Sequence, residues 1–206
     1  MAAEVVILDY GSGNLRSAER AVARTGADVT VTSDLSLAAE ADGLVVPGVG
    51  AYAACMAGIE ALQAGPVIAE RVAAGKPVLG ICVGMQILFD SGEEHGVVSK
   101  GLGLLPGSVT KLAAERIPHM WWNTGDVPEG SRLLAGLEAD TRFYFVHSYA
   151  AQDLDLLKDA RVTTAAHDQP FAAVGEAGAL SAAQFHPEKS ADAGFGLLSN
   201  WVATLT

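Results

Sequence analysis

Short apolar runs alternate with Ala-rich helical stretches along the N-terminal part of the chain. Strand-like runs occupy residues 5–8, 29–31, 43–46 and 78–81, and helix-like stretches occupy residues 15–24, 52–62 and 67–74. Strands that alternate with helices in this way form a parallel sheet covered by the helices. We therefore predict an α/β fold with an open, mostly parallel central sheet and helices on both faces.

The C-terminal part of the chain has a different pattern, with strand-like runs, turn signals and little helix. The runs cover residues 104–112, 142–146, 161–165, 171–174 and 180–185. We predict that they are antiparallel strands added to the central sheet, that residues 92–103 form a loop and that a closing helix covers residues 191–203. The chain has 206 residues and no repeat or linker, so we predict one domain, residues 1–206.

The charge balance limits the possible partners. The chain carries 13 Lys and Arg against 24 Asp and Glu, a formal net charge of −11, and no run of basic residues. Nucleic acid and anionic membranes would repel such a surface, so we expect neither as a partner. The first apolar run, residues 5–8, is too short for a signal peptide or a membrane span, and a cytoplasmic location is the default expectation.

The chain has two cysteines, Cys55 and Cys82, and five histidines. Their spacing does not match that of zinc ligands, so we expect no metal and no cofactor. A disulfide between the cysteines is not expected in a reducing compartment. We predict that Cys55 is buried on the helix at 52–62.

A glycine-flanked cysteine lies between a strand-like run and a helix-like stretch, in the segment Gly80-Ile81-Cys82-Val83-Gly84-Met85-Gln86. Glycines two residues away on each side permit a sharp turn and leave room for a substrate. The N-terminal end of the following helix favours the reactive thiolate. The turn alone does not separate a nucleophile from a small buried hydrophobic residue, which is the usual role of a free cysteine.

A candidate base lies about a hundred residues downstream, in the segment Gln184-Phe185-His186-Pro187-Glu188-Lys189-Ser190. In an extended segment His186 and Glu188 face the same side, so Glu188 can orient the imidazole while its other nitrogen faces the thiol. Most isolated His-x-Glu pairs are solvated surface residues. Together with the glycine-flanked cysteine, the pair predicts a catalytic triad of Cys82, His186 and Glu188.

These segments resemble the class I glutamine amidotransferase family, whose nucleophile turn reads Gly-x-Cys-x-Gly-x-Gln and whose base segment reads Phe-His-Pro-Glu. The likeness runs the length of the chain. In detail, the chain resembles the glutaminase subunits of imidazole glycerol phosphate synthases. The further matching segments are Leu8-Asp9-Tyr10-Gly11-Ser12-Gly13-Asn14-Leu15-Arg16-Ser17, Pro47-Gly48-Val49-Gly50, Phe143-Tyr144-Phe145-Val146-His147-Ser148-Tyr149 and His186-Pro187-Glu188-Lys189-Ser190.

The resemblance also implies an oxyanion hole and a set of substrate contacts. Backbone N–H groups of Val49, Gly50 and Val83 would hold the negative oxygen, whereas an ordinary Pro-Gly turn is the alternative. The implied substrate-binding residues are Gly48, Gln86, Glu94, His147, Ser148 and Tyr149. Three of these assignments have alternatives. Gln86 is otherwise a solvated helix residue, Glu93 could take the place of Glu94, and His147 is otherwise a structural histidine of the core.

The implied reaction is acyl transfer with glutamine as substrate: Cys82 attacks the amide, ammonia leaves and water releases glutamate. Because the chain contains no acceptor site for ammonia, the resemblance implies a partner, a cyclase subunit with a (β/α)8-barrel fold in a heterodimer. The family's glutaminases are nearly inactive alone, and we expect the flexible segment 48–50 to act as a switch. The alternatives are a glutaminase subunit of another synthase, of the pyridoxal phosphate or anthranilate type, and a non-catalytic docking module.

One segment departs from the family pattern. Ile117-Pro118-His119-Met120-Trp121-Trp122-Asn123 resembles a His-Met-Gly-Trp-Asn segment, but Trp121 stands at the glycine position. If that position needs a positive φ angle or a close approach, Trp121 introduces strain. If the surface is open, Trp121 and Trp122 form an aromatic anchor for the partner.

Overall fold

The computed structural model describes residues 2–205; Met1 and Thr206, which the predicted domain 1–206 includes, lie outside the described residues. The strands are β1 (Glu4–Leu8), β2 (Asp28–Thr32), β3 (Gly43–Gly48), β4 (Val78–Cys82), β5 (Phe89–Glu94), β6 (Val97–Lys100), β7 (Leu105–Lys111), β8 (His119–Asn123), β9 (Phe143–His147), β10 (Tyr149–Ala151), β11 (Arg161–His167), β12 (Gln169–Ala177) and β13 (Leu180–Ala183). The α-helices are α1 (Leu15–Ala23), α2 (Leu35–Glu40), α3 (Tyr52–Leu62), α4 (Ala64–Ala73), α5 (Val83–Gln86) and α6 (Ala191–Val202). Two 3₁₀ turns cover Leu154–Leu157 and Pro187–Lys189.

The central sheet has seven strands in the order β11-β12-β13-β4-β3-β1-β2. The five strands from β13 to β2 are mutually parallel, and β12 and β11 extend the sheet by antiparallel pairing. Because parallel strands end at the same edge, the segments that follow β3, β4 and β13 come together there. Gly48 at the end of β3 is the register partner of Cys82 at the end of β4.

The helices lie on both faces of this sheet. The connection from β1 to β2 runs in one direction along the sheet, and the connections from β2 to β3 and from β3 to β4 run in the other. Right-handed crossovers therefore place α1 on one face and α2, α3 and α4 on the opposite face. The packing agrees, since α1 contacts α6 while α4 contacts α2 and α3.

Two smaller sheets accompany the central sheet within residues 2–205. The first has four strands in the order β10-β7-β5-β6, and the second pairs β8 with β9. The main core lies at the central sheet, where every residue of β3 and β4 is buried. Large side chains that are fully buried include Tyr52, Phe89, Phe145, Phe171 and Trp201.

The predicted α/β fold is confirmed, and the four N-terminal strands and the closing helix lie where the pattern predicts them. Cys55 is buried on α3, as predicted. Three strand predictions are wrong. The run at 104–112 forms β7 in the four-stranded sheet, the run at 142–146 forms β9 beside β8, and β13 is parallel to its neighbour β4. Strands β5 and β8 have weak sequence signals, and without them the partners of β7 and β9 could not be identified.

The predicted loop at 92–103 is also wrong, because this stretch contains most of a β-hairpin. Strands β5 and β6 pair antiparallel, and His95 and Gly96 connect them with φ angles of +52° and +77°. Two residues with positive φ form the tight turn that suits a right-twisted hairpin, but the usual signals for it are Asn-Gly and Asp-Gly rather than His-Gly.

The observed helices differ from the predicted ones in two places. The stretch after Cys82 forms only the single turn α5, because Leu88 and Phe89 are drawn into the core and the chain continues as β5. Helix α2, which the sequence pattern did not predict, begins at an Asp34 cap whose carboxylate accepts hydrogen bonds from the N–H groups of Ser36 and Leu37. Within residues 2–205, each helix is too short or too polar to cross a membrane.

Candidate active site

Cys82 lies on a strained turn at the end of β4, with φ +56° and ψ −116°. Such angles cost a non-glycine residue about 1–3 kcal/mol. The turn is tightly enclosed, because a Cβ atom at Gly84 would lie 1.9 Å from the backbone oxygen of Val46, in β3. The glycine that the sequence places two residues after Cys82 is therefore required by close backbone packing.

His186 and Glu188 are in direct contact behind the thiol. The distance from His186 Nδ1 to Glu188 Oε1 is 2.7 Å, and both side chains are at most 5% exposed. The extended segment that the sequence predicts here is only partly correct, because Glu188 lies in the 3₁₀ turn Pro187–Lys189. Ser190 Oγ holds this turn by donating to the His186 carbonyl at 2.7 Å and accepting from the Tyr144 N–H at 3.0 Å.

The surroundings of His186 favour its protonated form. Burial by itself lowers the pKa, but hydrogen bonds to Cys82 and Glu188 and the negative charges of these groups outweigh it and raise the pKa to about 9. With Nδ1 facing Glu188, the Nε2 side is the one available to the sulfur. The three side chains form a nucleophile, base and carboxylate arrangement.

A cavity of about 250 Å³ opens over the sulfur. It collects most of the residues that the sequence predicts for the site: Cys82, His186, Val49, Gly50, Val83, Gln86, Glu94, His147, Ser148 and Tyr149. Val146 and Lys189, which the sequence reasoning did not assign, also line it. Glu188 lies behind His186, and Gly48 is buried in β3 against Gly84 rather than in the cavity wall.

The Val49 peptide groups contact Ser12. The Val49 N–H donates to Ser12 Oγ at 3.1 Å, and the Ser12 hydroxyl donates to the Val49 carbonyl at 2.9 Å. The buried Cys55 thiol reinforces this contact, 3.2 Å from Ser12 Oγ and 3.5 Å from the Val49 carbonyl oxygen. The predicted oxyanion donor at Val49 is therefore engaged by a side chain that does not line the cavity.

Two acidic residues at the end of β5 are separated by the alternation of the strand. Glu94 lines the cavity, and its Oε2 accepts from the N–H of Tyr52, the first residue of α3, at 3.0 Å. Glu93 is exposed and faces a different pocket beside His95 and Lys111. This placement favours Glu94 over Glu93 as the acidic substrate contact.

Gln86 is 3% exposed and is fixed by two hydrogen bonds. Its Nε2 donates to the Tyr149 carbonyl at 2.8 Å and to Gln184 Oε1 at 3.0 Å. Neither bond uses its Oε1, so this oxygen can serve a substrate. Gln184, to which the sequence reasoning gives no role, lies with Nε2 3.9 Å from Cys82 Sγ.

His147 belongs to a buried histidine pair. Its Nε2 lies 3.1 Å from His119 Nδ1, and its own Nδ1 lies 2.9 Å from the Tyr149 carbonyl oxygen. Burial lowers the pKa of His147 to about 3 and that of His119 to about 4. Within the described residues, groups of three or more His, Cys, Asp and Glu side chains that could hold a metal ion are absent.

The α/β fold, the strained cysteine turn and the adjoining histidine–carboxylate pair are the arrangement that cysteine-dependent acyl transfer needs. The family model described as "Glutamine amidotransferase class-I" matches residues 6–202. The chain belongs to the class I glutamine amidotransferase family.

Individual relatives match this chain over nearly its full length. The chain is 61% identical over 201 residues, 98% of each chain, to "Imidazole glycerol phosphate synthase subunit HisH" of Mycobacterium tuberculosis (strain ATCC 25618 / H37Rv). It is 59% identical over 211 residues, 100% of each chain, to the protein of the same name from Thermobifida fusca (strain YX). The fold is also similar to the solved structure of PurLQS from Thermotoga maritima, with a TM-score of 0.75, 19% identity and coverage of 100% of each chain.

Proposed function

We propose that this chain is the glutaminase subunit of imidazole glycerol phosphate synthase, which hydrolyses glutamine to glutamate and passes ammonia to a cyclase partner in histidine biosynthesis. The full-length relatives at about 60% identity support the choice of synthase. The observation that carries the chemistry is one cavity in which the Cys82 thiol adjoins a His186–Glu188 pair. An intact triad disfavours a non-catalytic docking module.

In the first half-reaction, the Cys82 thiolate attacks the side-chain carbonyl carbon of glutamine and a C–S bond forms. The C–N bond then breaks, and the departing nitrogen takes a proton from His186 Nε2 and leaves as ammonia. A pKa of about 9 keeps His186 protonated at neutral pH, so the proton is available before the attack. A γ-glutamyl thioester remains on Cys82.

In the second half-reaction, neutral His186 accepts a proton from water as the water oxygen attacks the thioester carbon. The C–S bond breaks, glutamate leaves and the thiolate is restored. Glu188 remains ionised throughout, holding Nδ1–H at 2.7 Å and stabilising the imidazolium.

The substrate contacts follow from the groups left available in the cavity. Glu94 supplies a carboxylate for the α-ammonium of glutamine, and Gln86 supplies Oε1. Ser148 and Tyr149 line the same wall next to His147. These assignments place the amino-acid end of glutamine toward β5 and β10 and its amide toward Cys82.

The oxyanion hole requires a change at Val49. Its N–H is bound to Ser12 Oγ at 3.1 Å, so Val49 has to release Ser12 before that N–H can hold the substrate oxygen. This N–H belongs to the peptide group between Gly48 and Val49, and the glycines on both sides of Val49, Gly48 and Gly50, permit that group to rotate. Ser12→Ala removes both Ser12 bonds and should raise the glutaminase rate without the cyclase; an unchanged rate would exclude Ser12 as the restraint.

The partner is proposed to be a cyclase subunit with a (β/α)8-barrel fold that forms a heterodimer with this chain. Ammonia released into water is protonated and loses its nucleophilicity, so a direct passage between subunits is needed. The exposed aromatic strand β8 is the proposed docking surface: Trp121 is 69% exposed and Trp122 40% exposed. Trp121 lies in regular pairing with Phe145 and its φ angle is not positive, which supports the open-surface alternative for this position.

The function is tested by measuring glutamate release by the purified chain with and without the cyclase and the cyclase ligand. We expect strong stimulation only when both are present, and none in a Cys82→Ser complex. Stimulation by an anthranilate-type partner instead of the cyclase would assign the chain to another synthase. No glutamate release with any partner, despite complex formation, would contradict the glutaminase assignment.

A further inference from the structure

Gln184 is a buried polar residue close to the nucleophile that the proposed reaction does not use. It follows β13, lies two residues before His186 and is 1% exposed. Its backbone N–H donates to the Ala173 carbonyl at 2.8 Å, which fixes the main chain. Its side-chain amide lies between Gln86 and the Cys82 sulfur. A buried amide must satisfy its donors within the protein, so the groups around Gln184 show which way its amide points.

The neighbouring bonds determine which end of the Gln184 amide faces the sulfur. Gln86 contacts the Tyr149 carbonyl oxygen, which can only accept, so the Gln86 atom there is its NH₂ group. The same NH₂ group lies 3.0 Å from Gln184, and the Gln184 atom on that side is therefore the carbonyl oxygen. The NH₂ group of Gln184 is left directed at Cys82 Sγ, at 3.9 Å.

The buried histidine pair fixes the other side of the Tyr149 carbonyl. His147 Nδ1–H donates to that oxygen at 2.9 Å, so neutral His147 accepts at Nε2. The Nδ1–H of His119 supplies this bond at 3.1 Å. His119 then accepts at Nε2 from the NH₂ group of Asn123 at 3.4 Å, and that group also donates to the Ala166 carbonyl at 2.9 Å. The donor and the acceptor of every hydrogen bond in this series are therefore assigned without conflict.

We propose that Gln184 is a further catalytic residue, whose side-chain NH₂ donates a hydrogen bond to the Cys82 sulfur, and that His147 and His119 are positioning residues for this donor. The bond stabilises the thiolate before attack and again when the C–S bond of the thioester breaks, since sulfur is negative in both states. The Tyr149 carbonyl and Gln86 prevent the Gln184 amide from turning its oxygen toward the sulfur. His147, itself bound to His119, keeps that carbonyl in place through its own hydrogen bond. The inference rests on the proposed function, because it takes Cys82 as the nucleophile.

The direct test compares Gln184→Met, which keeps the volume and removes the donor, with Gln184→Glu, which directs a negative acceptor at the sulfur. Gln169→Met and Gln169→Glu, at an exposed glutamine on β12, are the matched controls. In the complex with the cyclase we expect kcat to fall about tenfold for Gln184→Met and about a hundredfold for Gln184→Glu, with KM within about twofold. The Gln169 variants should match the unchanged chain.

The second readout is the rate at which iodoacetamide alkylates Cys82, followed on the Cys82 peptide by mass spectrometry. Alkylation needs the thiolate but not glutamine, and we expect it to slow about tenfold in Gln184→Met. Unchanged alkylation and unchanged kcat in both Gln184 variants would overturn the inference. Because glutamine turnover in the unchanged chain is a separate measurement, that result would leave the proposed function standing.

Variants of His119 provide a separate test that does not depend on the folding of the Gln184 variants. His119→Asn retains a donor near the Nδ1 position, whereas His119→Leu does not. We expect His119→Leu to lower kcat and Cys82 alkylation about fivefold, and His119→Asn to restore most of both. Equal losses in the two His119 variants would show that packing, rather than the direction of the hydrogen bond, is what His119 provides, and would overturn its positioning role.

Discussion

Two buried histidines line the same cavity and have opposite proton affinities. His186 is 3% exposed and His147 is 6% exposed, and burial disfavours the charged form of both. His186 has the Cys82 sulfur and the Glu188 carboxylate as partners, and its pKa rises to about 9. His147 has a backbone carbonyl and His119, and its pKa falls to about 3. Burial lowers the pKa of both histidines, and only His186 has negatively charged partners that outweigh it, so His186 is charged and His147 is neutral.

Removal of the protonated histidine, His186, should lower the glutaminase rate most. His186→Asn eliminates the proton donor for ammonia and the base for water, so kcat of the glutaminase in the cyclase complex should fall about a thousandfold or more. His147→Asn, which keeps a donor near the Nδ1 position, should cost only about tenfold. The measurement is steady-state glutamate release by both variants. Equal losses would mean that the two histidines do not have different roles.

Removing the Glu188 carboxylate should lower the pKa of His186 toward that of His147. Glu188→Gln preserves the shape but withdraws the negative charge 2.7 Å from Nδ1, so the pKa of His186 should fall by about one unit or more. We expect kcat to fall about a hundredfold, less than in His186→Asn, because the base remains. NMR titration of the His186 ring measures the pKa directly. A pKa still near 9 in this variant would show that Glu188 is not what keeps His186 charged.

The comparison also predicts opposite effects of pH on stability. The pKa values of His147 and His119 lie below the unfolded value of 6.5, so the unfolded chain binds more protons and stability is lost as the pH falls. Between pH 6.5 and 5 the loss should be about 2 kcal/mol for each histidine. His186 has a raised pKa, so its contribution is complete below pH 6.5 and is lost as the pH rises through about 9.

Urea unfolding at a series of pH values measures these slopes, with His119→Phe as the variant that removes one acid-sensitive group. We expect the difference in unfolding free energy between this variant and the unchanged chain to shift in favour of the variant as the pH falls from about 6.5 to about 5. His167, which stacks on His119 with ring centroids 4.5 Å apart, is retained in both proteins. A difference that does not vary with pH would contradict a neutral buried His119.

The N-terminal half of the fold and the contact between His186 and Glu188 could be predicted from the sequence because their signals are local. The strand-to-helix turn of Cys82 depends on nearby glycines, and His186 and Glu188 are two residues apart. The predicted contact of this pair holds although the predicted backbone geometry does not, because a 3₁₀ turn brings the same two side chains together. The likeness to known glutaminases supplied the other predicted residues that line the cavity, but not Val146 and Lys189.

Contacts between distant segments could not be predicted in this way. Ser12 and Val49 meet across 37 residues, and Gln86 and Gln184 meet across 98 residues. These pairings depend on the register of β3, β4 and β13, which the hydrophobic pattern does not determine. The sequence does not predict the hairpin of β5 and β6 for a local reason, the unusual His-Gly turn. Because β5 is not predicted, the pairing of β7 with β5 cannot be predicted either.

Cys82, activated by His186, is the residue proposed to attack glutamine. A diazoketone analogue of glutamine, incubated with the cyclase complex and followed by peptide mass spectrometry, tests it directly. We expect one adduct, on the Cys82 peptide, that excess glutamine prevents and that forms far more slowly in His186→Asn. An adduct on Cys55, no adduct on Cys82, or labelling of Cys82 at the same rate in His186→Asn would contradict attack by an activated Cys82.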